Sequence, residues 1–458
     1  MEYRVMDKVD TQMVGSVVTA WYPAKAHEDD NYQVKIEASG ITDRNANFKT
    51  ELEIEVRVPS AKDGEYRWVR VVRSGQNLLA STLLSTFRKH MEERTEIYGV
   101  EFYWGAILES CADGIIRAYR EGEPAITVGE LTEFVPRDYA IKPLLFRGVP
   151  NLIWAQGGSG KSWFGLLFCV LVDKGMSAHG IKAKQGRALY LDWEEEPDLF
   201  KQRVKALHKG LGINPNEHSG IVYKKMSGSL AGNIENIAKI VQRDNISFLV
   251  VDSVNASLSG SQNDDETIRE YFNSLTGLGI TTLSIDHANK SGETTGKWQL
   301  GGSASKKQRA RQVFELRRRR EPGVNSLDIV WYHEKGNDSR LGNPKAWKIS
   351  FHNTDYYNQQ DDENQTLLDM VTFESIDIGD PDNPNFQSLS TQEMVYQLVF
   401  KKGSMSSEAI AVEIGTIKDE TFDVSFIQKI AKDSSRLTLT VDGIIKLQGS
   451  EEIEWNHL

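Results

Sequence analysis

Ala155-Gln156-Gly157-Gly158-Ser159-Gly160-Lys161-Ser162 follows an apolar run at residues 151–155 and opens a second one at 163–172. The context predicts a strand, a glycine-rich turn and a helix. Glycines allow successive backbone N–H groups to turn inward around an anion without a Cβ clash. The helix N-terminus that follows adds positive potential. Lys161 is then spaced to reach the β- and γ-phosphates of a nucleotide, and the Ser162 hydroxyl to ligate Mg²⁺. The strict pattern starts with Gly, and Ala155 stands there; a small side chain is all the position needs. Gly157, Gly158, Ser159, Gly160, Lys161, Ser162 and Trp163 form the candidate nucleotide-binding set.

Three further stretches extend this reading. Phe248-Leu-Val-Val-Asp252-Ser253 is an apolar run ending in a carboxylate, as expected for a buried strand that places Asp252 in the Mg²⁺ shell. Ala188-Leu-Tyr-Leu-Asp192-Trp193-Glu194-Glu195-Glu196 ends a second such strand in an acidic run. Hydrolysis needs a carboxylate to orient water. Glu194 is the first choice and Glu195 the second; the competing reading is that the run only favours the next helix through its dipole. Leu283-Ser-Ile-Asp286-His287-Ala-Asn289-Lys290 ends a third strand, and His287 is a candidate γ-phosphate sensor, set against an ordinary structural histidine.

The chain has 458 residues, enough for two or three domains. Residues 1–140 read as a small β-part and a helical pair. Leu52, Ile54, Val56 and Val58 alternate with charged residues, and residues 66–72 return from Asp63-Gly64. Leu79, Leu83, Phe87 and Met91, and then Trp104, Leu108, Cys111 and Ile115, recur at helical spacing. Residues 141–354 alternate strand-like runs at 151–155, 188–192, 248–252 and 281–286 with helical stretches, which predicts an α/β core with a mostly parallel sheet. Residues 355–388 hold nine acidic and no basic residues and read as a linker. Residues 389–458 open with the capping box Ser390-Thr-Gln-Glu393 and read as three helices and a hairpin turning at Asp442-Gly443, a winged-helix-like pattern.

The net charge of −11 excludes a general nucleic-acid coat, so any such contact must be local. Two distant cysteines, an apolar run of at most ten residues and a start without signal-peptide character predict a cytoplasmic protein with no membrane span.

Taken in order, the four motifs resemble the RecA-like P-loop ATPase core, nearest to the RepA-type hexameric replicative helicases of plasmids and phages. Leu-Tyr-Leu-Asp-Trp-Glu, Val-Asp-Ser-Val, Ile-Asp-His-Ala-Asn-Lys and Gly301-Gly-Ser-Ala304 carry the likeness, over about residues 133–353. The resemblance implies ATP and Mg²⁺, a homo-hexamer, and single-stranded DNA against the glycine-rich loop 289–302, where Lys290 and Lys297 would hold phosphates. Lys306, Lys307, Arg309, Arg311 and 317–320 place eight basic residues within fifteen positions, a second candidate DNA contact or else a solvated face. The family also completes each site with a basic finger from the neighbouring subunit. Lys335 matches that strand, although Asn337 replaces its arginine, and no arginine near the motifs is obviously placed to act within one chain. Arg317, Arg319 and Arg340 remain alternative fingers. The last domain carries net −4, which favours docking a replication protein over reading DNA. The same core also serves ATP-switched loaders and recombinase-like regulators without unwinding activity.

Overall fold

The computed structural model describes residues 9–23, 32–45, 47–60, 62–122, 137–289, 298–319, 324–337, 341–358, 363–377, 389–434 and 436–448. The first body is a five-stranded antiparallel sheet: β1 (Asp10–Val14), β2 (Val17–Pro23), β3 (Tyr32–Arg44), β4 (Asn47–Pro59) and β5 (Tyr66–Asn77), in sequential order. Leu52, Ile54, Val56 and Val58 face its core, as their spacing requires. Helices α1 (Arg88–Thr95) and α2 (Trp104–Glu121) cover that face. Leu79, expected in the first helix, lies exposed in the turn before it. Strands β1 to β3 were not read from the sequence.

A small sheet follows, containing β6 (Tyr139–Lys142) and β7 (Leu145–Phe146), and then the main sheet begins with β8 (Pro150–Ala155). Helix α3 (Lys161–Lys174), β9 (Ser177–Ala178), β10 (Ile181–Ala183), β11 (Arg187–Asp192) and α4 (Pro197–Gly210) come next. The chain continues through β12 (Val222–Lys225), α5 (Ile234–Arg243), β13 (Ile246–Asp252), α6 (Asp265–Gly277) and β14 (Thr281–His287). After the short helix α7 (Ser305–Arg309) run β15 (Gln312–Arg319), β16 (Ser326–Gly336), β17 (Lys345–Asn358) and β18 (Glu363–Ile376).

The nine-stranded sheet has the order β12-β11-β13-β14-β8-β15-β16-β17-β18. It is parallel from β12 to β15 and antiparallel beyond. Strands β8, β11, β13 and β14 are apolar on both faces because helices cover both. Ile153, Tyr190 and Val250 pack against α3 and α4, while Leu152, Leu189, Leu191, Leu249 and Val251 pack against α5 and α6. The parallel part is the expected α/β core; β12 and the four late strands went unread.

The acidic stretch 355–388 is not a linker along its described length. Residues 355–358 finish β17, and 363–376 form β18, which pairs with β17 in register through Ile349↔Phe373 and Phe351↔Val371. Buried Val371 and Phe373 close the sheet over α3, while the acidic Asp369 and Glu374 on either side of them take less buried positions of the same strand. Residues 378–388 lie outside the described residues.

The last body contains α8 (Thr391–Lys402), β19 (Met405–Ser406), α9 (Ser407–Lys418), α10 (Val424–Asp433), β20 (Leu437–Leu439) and β21 (Ile444–Leu447). The Ser390 Oγ accepts the Glu393 N–H at 3.2 Å, which caps α8. Val330 and Ala346 share its apolar core, so this body sits on β16 and β17. The first body meets the helices of the core: Thr19 Oγ1 donates to Gln242 at 2.9 Å, and Lys239 pairs with Glu37 at 3.2 Å. Among the described residues no helix is long and apolar enough to cross a membrane.

Phe164 of α3 joins the two halves of the main sheet. Its ring lies 4.9 Å from Trp331, 5.5 Å from Trp347 and 5.3 Å from Phe373. Phe164→Ala should lower unfolding free energy by about 3–5 kcal/mol, the scale of a buried aromatic truncation. Denaturant titration followed by tryptophan fluorescence measures it. A loss under about 1 kcal/mol would mean that β16 to β18 do not share the core.

Candidate functional site

Five segments meet at the carboxyl edge of the parallel strands. Between β8 and α3 the glycine-rich turn holds Gly158 at φ +66° and Gly160 at φ +73°, a backbone region open to glycine at little cost. Two polar groups in this turn are buried. Lys161 is buried, and its Nζ donates only to the carbonyls of Ala155 and Gln156, at 3.1 and 2.9 Å. Ser159 is 1% exposed, and its hydroxyl has no hydrogen-bond partner. A buried ammonium and an orphaned hydroxyl in a glycine-rich turn before a helix N-terminus fit a phosphate chain. Burial pushes the Lys161 ammonium down to about 8, against the pull of Asp252, Asp286 and Glu194.

Strand β13 ends at Asp252, next to the start of α3. Its carboxylate accepts the Ser162 hydroxyl and, at 2.6 Å, the buried Tyr190 hydroxyl from β11. Burial raises its pKa, and those two hydrogen bonds oppose the rise. Ser162 and Asp252 are hard oxygen donors, the type Mg²⁺ takes. Among the described residues no group of three or more His, Cys, Asp or Glu is placed to hold a metal on protein ligands alone. Mg²⁺ therefore fits here as the partner of a nucleotide's own oxygens, where it would neutralise the β- and γ-phosphate charge.

Strand β11 ends at Asp192, which turns the acidic run by accepting the Glu194 and Glu195 N–H groups at 2.9 and 3.1 Å. The turn separates the two glutamates. Glu194 Oε1 accepts the Ser253 hydroxyl at 2.9 Å and lies 3.9 Å from His287 Nε2. The His287 imidazole, then Ser253 and Lys161, hold its pKa below the ordinary value despite partial burial, so the carboxylate stays ionised. Glu195 instead pairs with Arg203 of α4. His287 ends β14, and the neighbouring Asp286 is buried against Lys306, 2.7 Å away. The cluster can bind phosphates at Lys161, hold a hard cation at Ser162 and Asp252, and orient water at Glu194.

The other candidates are placed differently. Lys306 is fully buried in its pair with Asp286 and also donates to the Gly301 carbonyl at 2.9 Å, so it is no DNA contact. Lys307 pairs with Glu334 at 2.9 Å and lies over the Trp154 ring, so its charge is already met within the chain. Arg309 is exposed on α7. Lys335 does not project as a finger: its Nζ donates to the carbonyls of Lys307, Gln308 and Ala310 at 2.7, 2.6 and 2.8 Å, capping α7. Arg317 is paired with Glu315 at 2.8 Å. Lys290, Lys297 and Arg340, and the Arg319 side chain, lie outside the described residues. Arg318 of β15 donates to the Gly158 carbonyl at 3.1 Å, so an arginine of the same chain reaches the backbone of the glycine-rich turn. Tyr190, Ser253, Arg203 and Arg318 were missed. A tyrosine inside an otherwise aliphatic strand was the one local signal among them.

An AAA domain family matches residues 120–293, well under half of the chain. No curated protein matches. A KaiC-like protein from the hyperthermophilic archaeon Pyrococcus horikoshii OT3 is similar in structure at 17% identity and a TM-score of 0.35, over 46% of this chain and 94% of that one. The glycine-rich turn thus lies at the carboxyl edge of a mostly parallel α/β sheet, within the residues that match the AAA domain family.

Glu194→Gln should leave ATP binding intact and slow hydrolysis by about 10²–10⁴-fold, the usual scale for a positioned acid or base. Glu195→Gln should be mild, since its partner is Arg203; phosphate-release assays on both variants decide which carboxylate acts. The Lys161 pKa of about 8 gives a second expectation. Bound phosphates favour the charged ammonium, so nucleotide binding at pH 8 should draw about half a proton per chain from solvent. At about pH 6 the ammonium is already charged, and uptake should vanish. Calorimetry in two buffers of different ionisation enthalpy measures this; equal apparent enthalpies at pH 8 would show that Lys161 is charged before binding.

Proposed function

We propose that this chain is an ATP-hydrolysing motor that acts on DNA, assembled as a homo-hexamer like the RepA-type replicative helicases. One observation carries the reading: the strand that ends beside the hydrolytic carboxylate also anchors both ends of the segment proposed to meet DNA. His287 at the end of β14 lies 3.9 Å from Glu194. The His287 carbonyl accepts the Gly301 N–H at 3.0 Å, and the Asn289 N–H donates to Gln299 at 2.8 Å. Asp286 reaches the same segment through Lys306, which holds the Gly301 carbonyl. A shift of His287 on loss of the γ-phosphate is thereby passed to residues 290–297. Lys290 and Lys297 supply the phosphate contacts there, and Arg309 adds a third. The neighbouring subunit's finger is not Lys335, which is held by its own α7. The C-terminal domain, winged-helix-like in its three helices and hairpin, docks a replication protein.

A second reading is an ATP-switched loader or regulator that binds DNA without unwinding it. It is favoured by the internal pairing of Lys306, Lys307 and Lys335, which leaves less positive surface for a translocation track. A strand-displacement assay with ATP separates the two, with Lys161→Ala as the inactive control. Single-stranded DNA should stimulate hydrolysis, and neutralising Lys290 and Lys297 together should remove much of that stimulation. Binding should weaken with salt at a log–log slope near −0.7 per neutralised phosphate. Stimulation without displacement selects the second reading; neither stimulation nor binding ends both.

A further inference from the structure

β15 turns its successive arginines to opposite sides. Arg317 grips both Glu315 oxygens, at 2.9 and 2.8 Å, and lies over the Tyr332 ring. Arg318 points at the P-loop. Its Nη1 donates to the Gly158 carbonyl at 3.1 Å, and a Cβ placed on Gly158 would stand only 2.8 Å from that nitrogen. Glycine at 158 is thus required for the guanidinium to come this close. Among the described residues no acidic side chain pairs with Arg318, unlike Arg317, Lys306 and Lys307.

Its position along the loop says which part of a ligand it meets. β14 and β15 flank β8 on opposite sides. Glu194, Asp252 and His287 gather on the β14 side, which marks the γ-phosphate end. On the β15 side lies a cavity of about 310 Å³ lined by Gly158, Gly160, Trp163, Asn325, Leu327 and Phe351. Trp163 and Phe351 meet edge-on there, with ring centres 5.7 Å apart. A ligand whose terminal phosphate faces Glu194 runs its inner phosphates past Gly158 and its apolar end into that cavity.

We propose that Arg318 is a phosphate clamp supplied by the same chain, selecting nucleoside 5′-di- and triphosphates by gripping their α- and β-phosphates while the nucleoside occupies the cavity beside Trp163 and Phe351. The proposal rests on the P-loop reading. A guanidinium on a neutral carbonyl exchanges readily for one on anionic oxygens, because charge-assisted bidentate contacts are shorter and about twice as strong. The clamp also brings a second cation to a phosphate chain that Lys161 alone does not balance.

The test titrates ADP and ATP into the full chain by calorimetry and follows steady-state hydrolysis, for the parental protein, R318A and R318K. R318A should bind ADP and ATP alike about 10–100-fold more weakly, the range for a lost charged hydrogen bond. R318K should recover part of the affinity. Should R318A not fold, R318Q gives the same readout. Unchanged ADP affinity in R318A overturns the clamp while the P-loop reading stands on parental binding. A fall in kcat with ADP affinity intact also overturns it, because Arg318 would then serve the γ-phosphate. A folded parental chain that binds neither nucleotide overturns the clamp and the P-loop reading together.

Discussion

Helix α3 is apolar almost all the way round, and the architecture follows from covering it. Phe164, Leu167, Phe168, Val170 and Leu171 are all buried. A helix of that kind is stable only inside a core. The parallel strands cover one side through Ile153, Tyr190, Val250 and Ile285, and the late antiparallel strands supply Trp331, Trp347 and Phe373. This packing fixes where the helix N-terminus points, and therefore where Lys161 and Ser162 stand. It also brings β15 and the segment 324–327 beside the P-loop.

The second constraint is the burial of charge. Lys161, Asp192, Asp252, Asp286 and Lys306 all lie inside the sheet's carboxyl edge. Each described case is met differently. Asp192 accepts two backbone N–H groups, Asp252 two hydroxyls, and Asp286 an ammonium. Removing one partner of a buried ion pair such as Asp286–Lys306 typically costs about 3–5 kcal/mol, so this pair holds β14 and the segment near Gly301 in one geometry. Lys161 is the exception, with two neutral carbonyls and a depressed pKa. The site thus carries its unbalanced charge at the atom that would meet phosphate.

Glu194 and Glu195 show how backbone geometry divides like residues. They are adjacent in sequence, yet Asp192 turns the chain between them so that one faces Ser253 and His287 and the other faces Arg203. The same holds for Arg317 and Arg318, which strand alternation sends to a carboxylate and to the P-loop.

What was legible in the sequence was local. The spacing Gly-Ser-Gly-Lys-Ser after an apolar run determines a P-loop, and four uninterrupted apolar runs determine a parallel α/β core, because turn chemistry and two-sided burial act on neighbouring residues. Glu194, Asp252 and His287 were readable because each ends one of those runs. The fate of isolated charges was not. Lys306 and Lys307 look like part of a basic patch and Lys335 like a finger for a neighbouring subunit, yet their partners are Asp286, Glu334 and the carbonyls of α7, up to 28 positions away. The acidic stretch 355–388 looks like a linker because it has nine acidic and no basic residues, and the need of Val371 and Phe373 for α3 becomes visible only once that helix is in place. Tyr190 under Asp252 and Arg318 on Gly158 are contacts across the sheet, 62 and 160 positions apart. Composition and periodicity carry no information on such pairs; strand order and register alone bring them together.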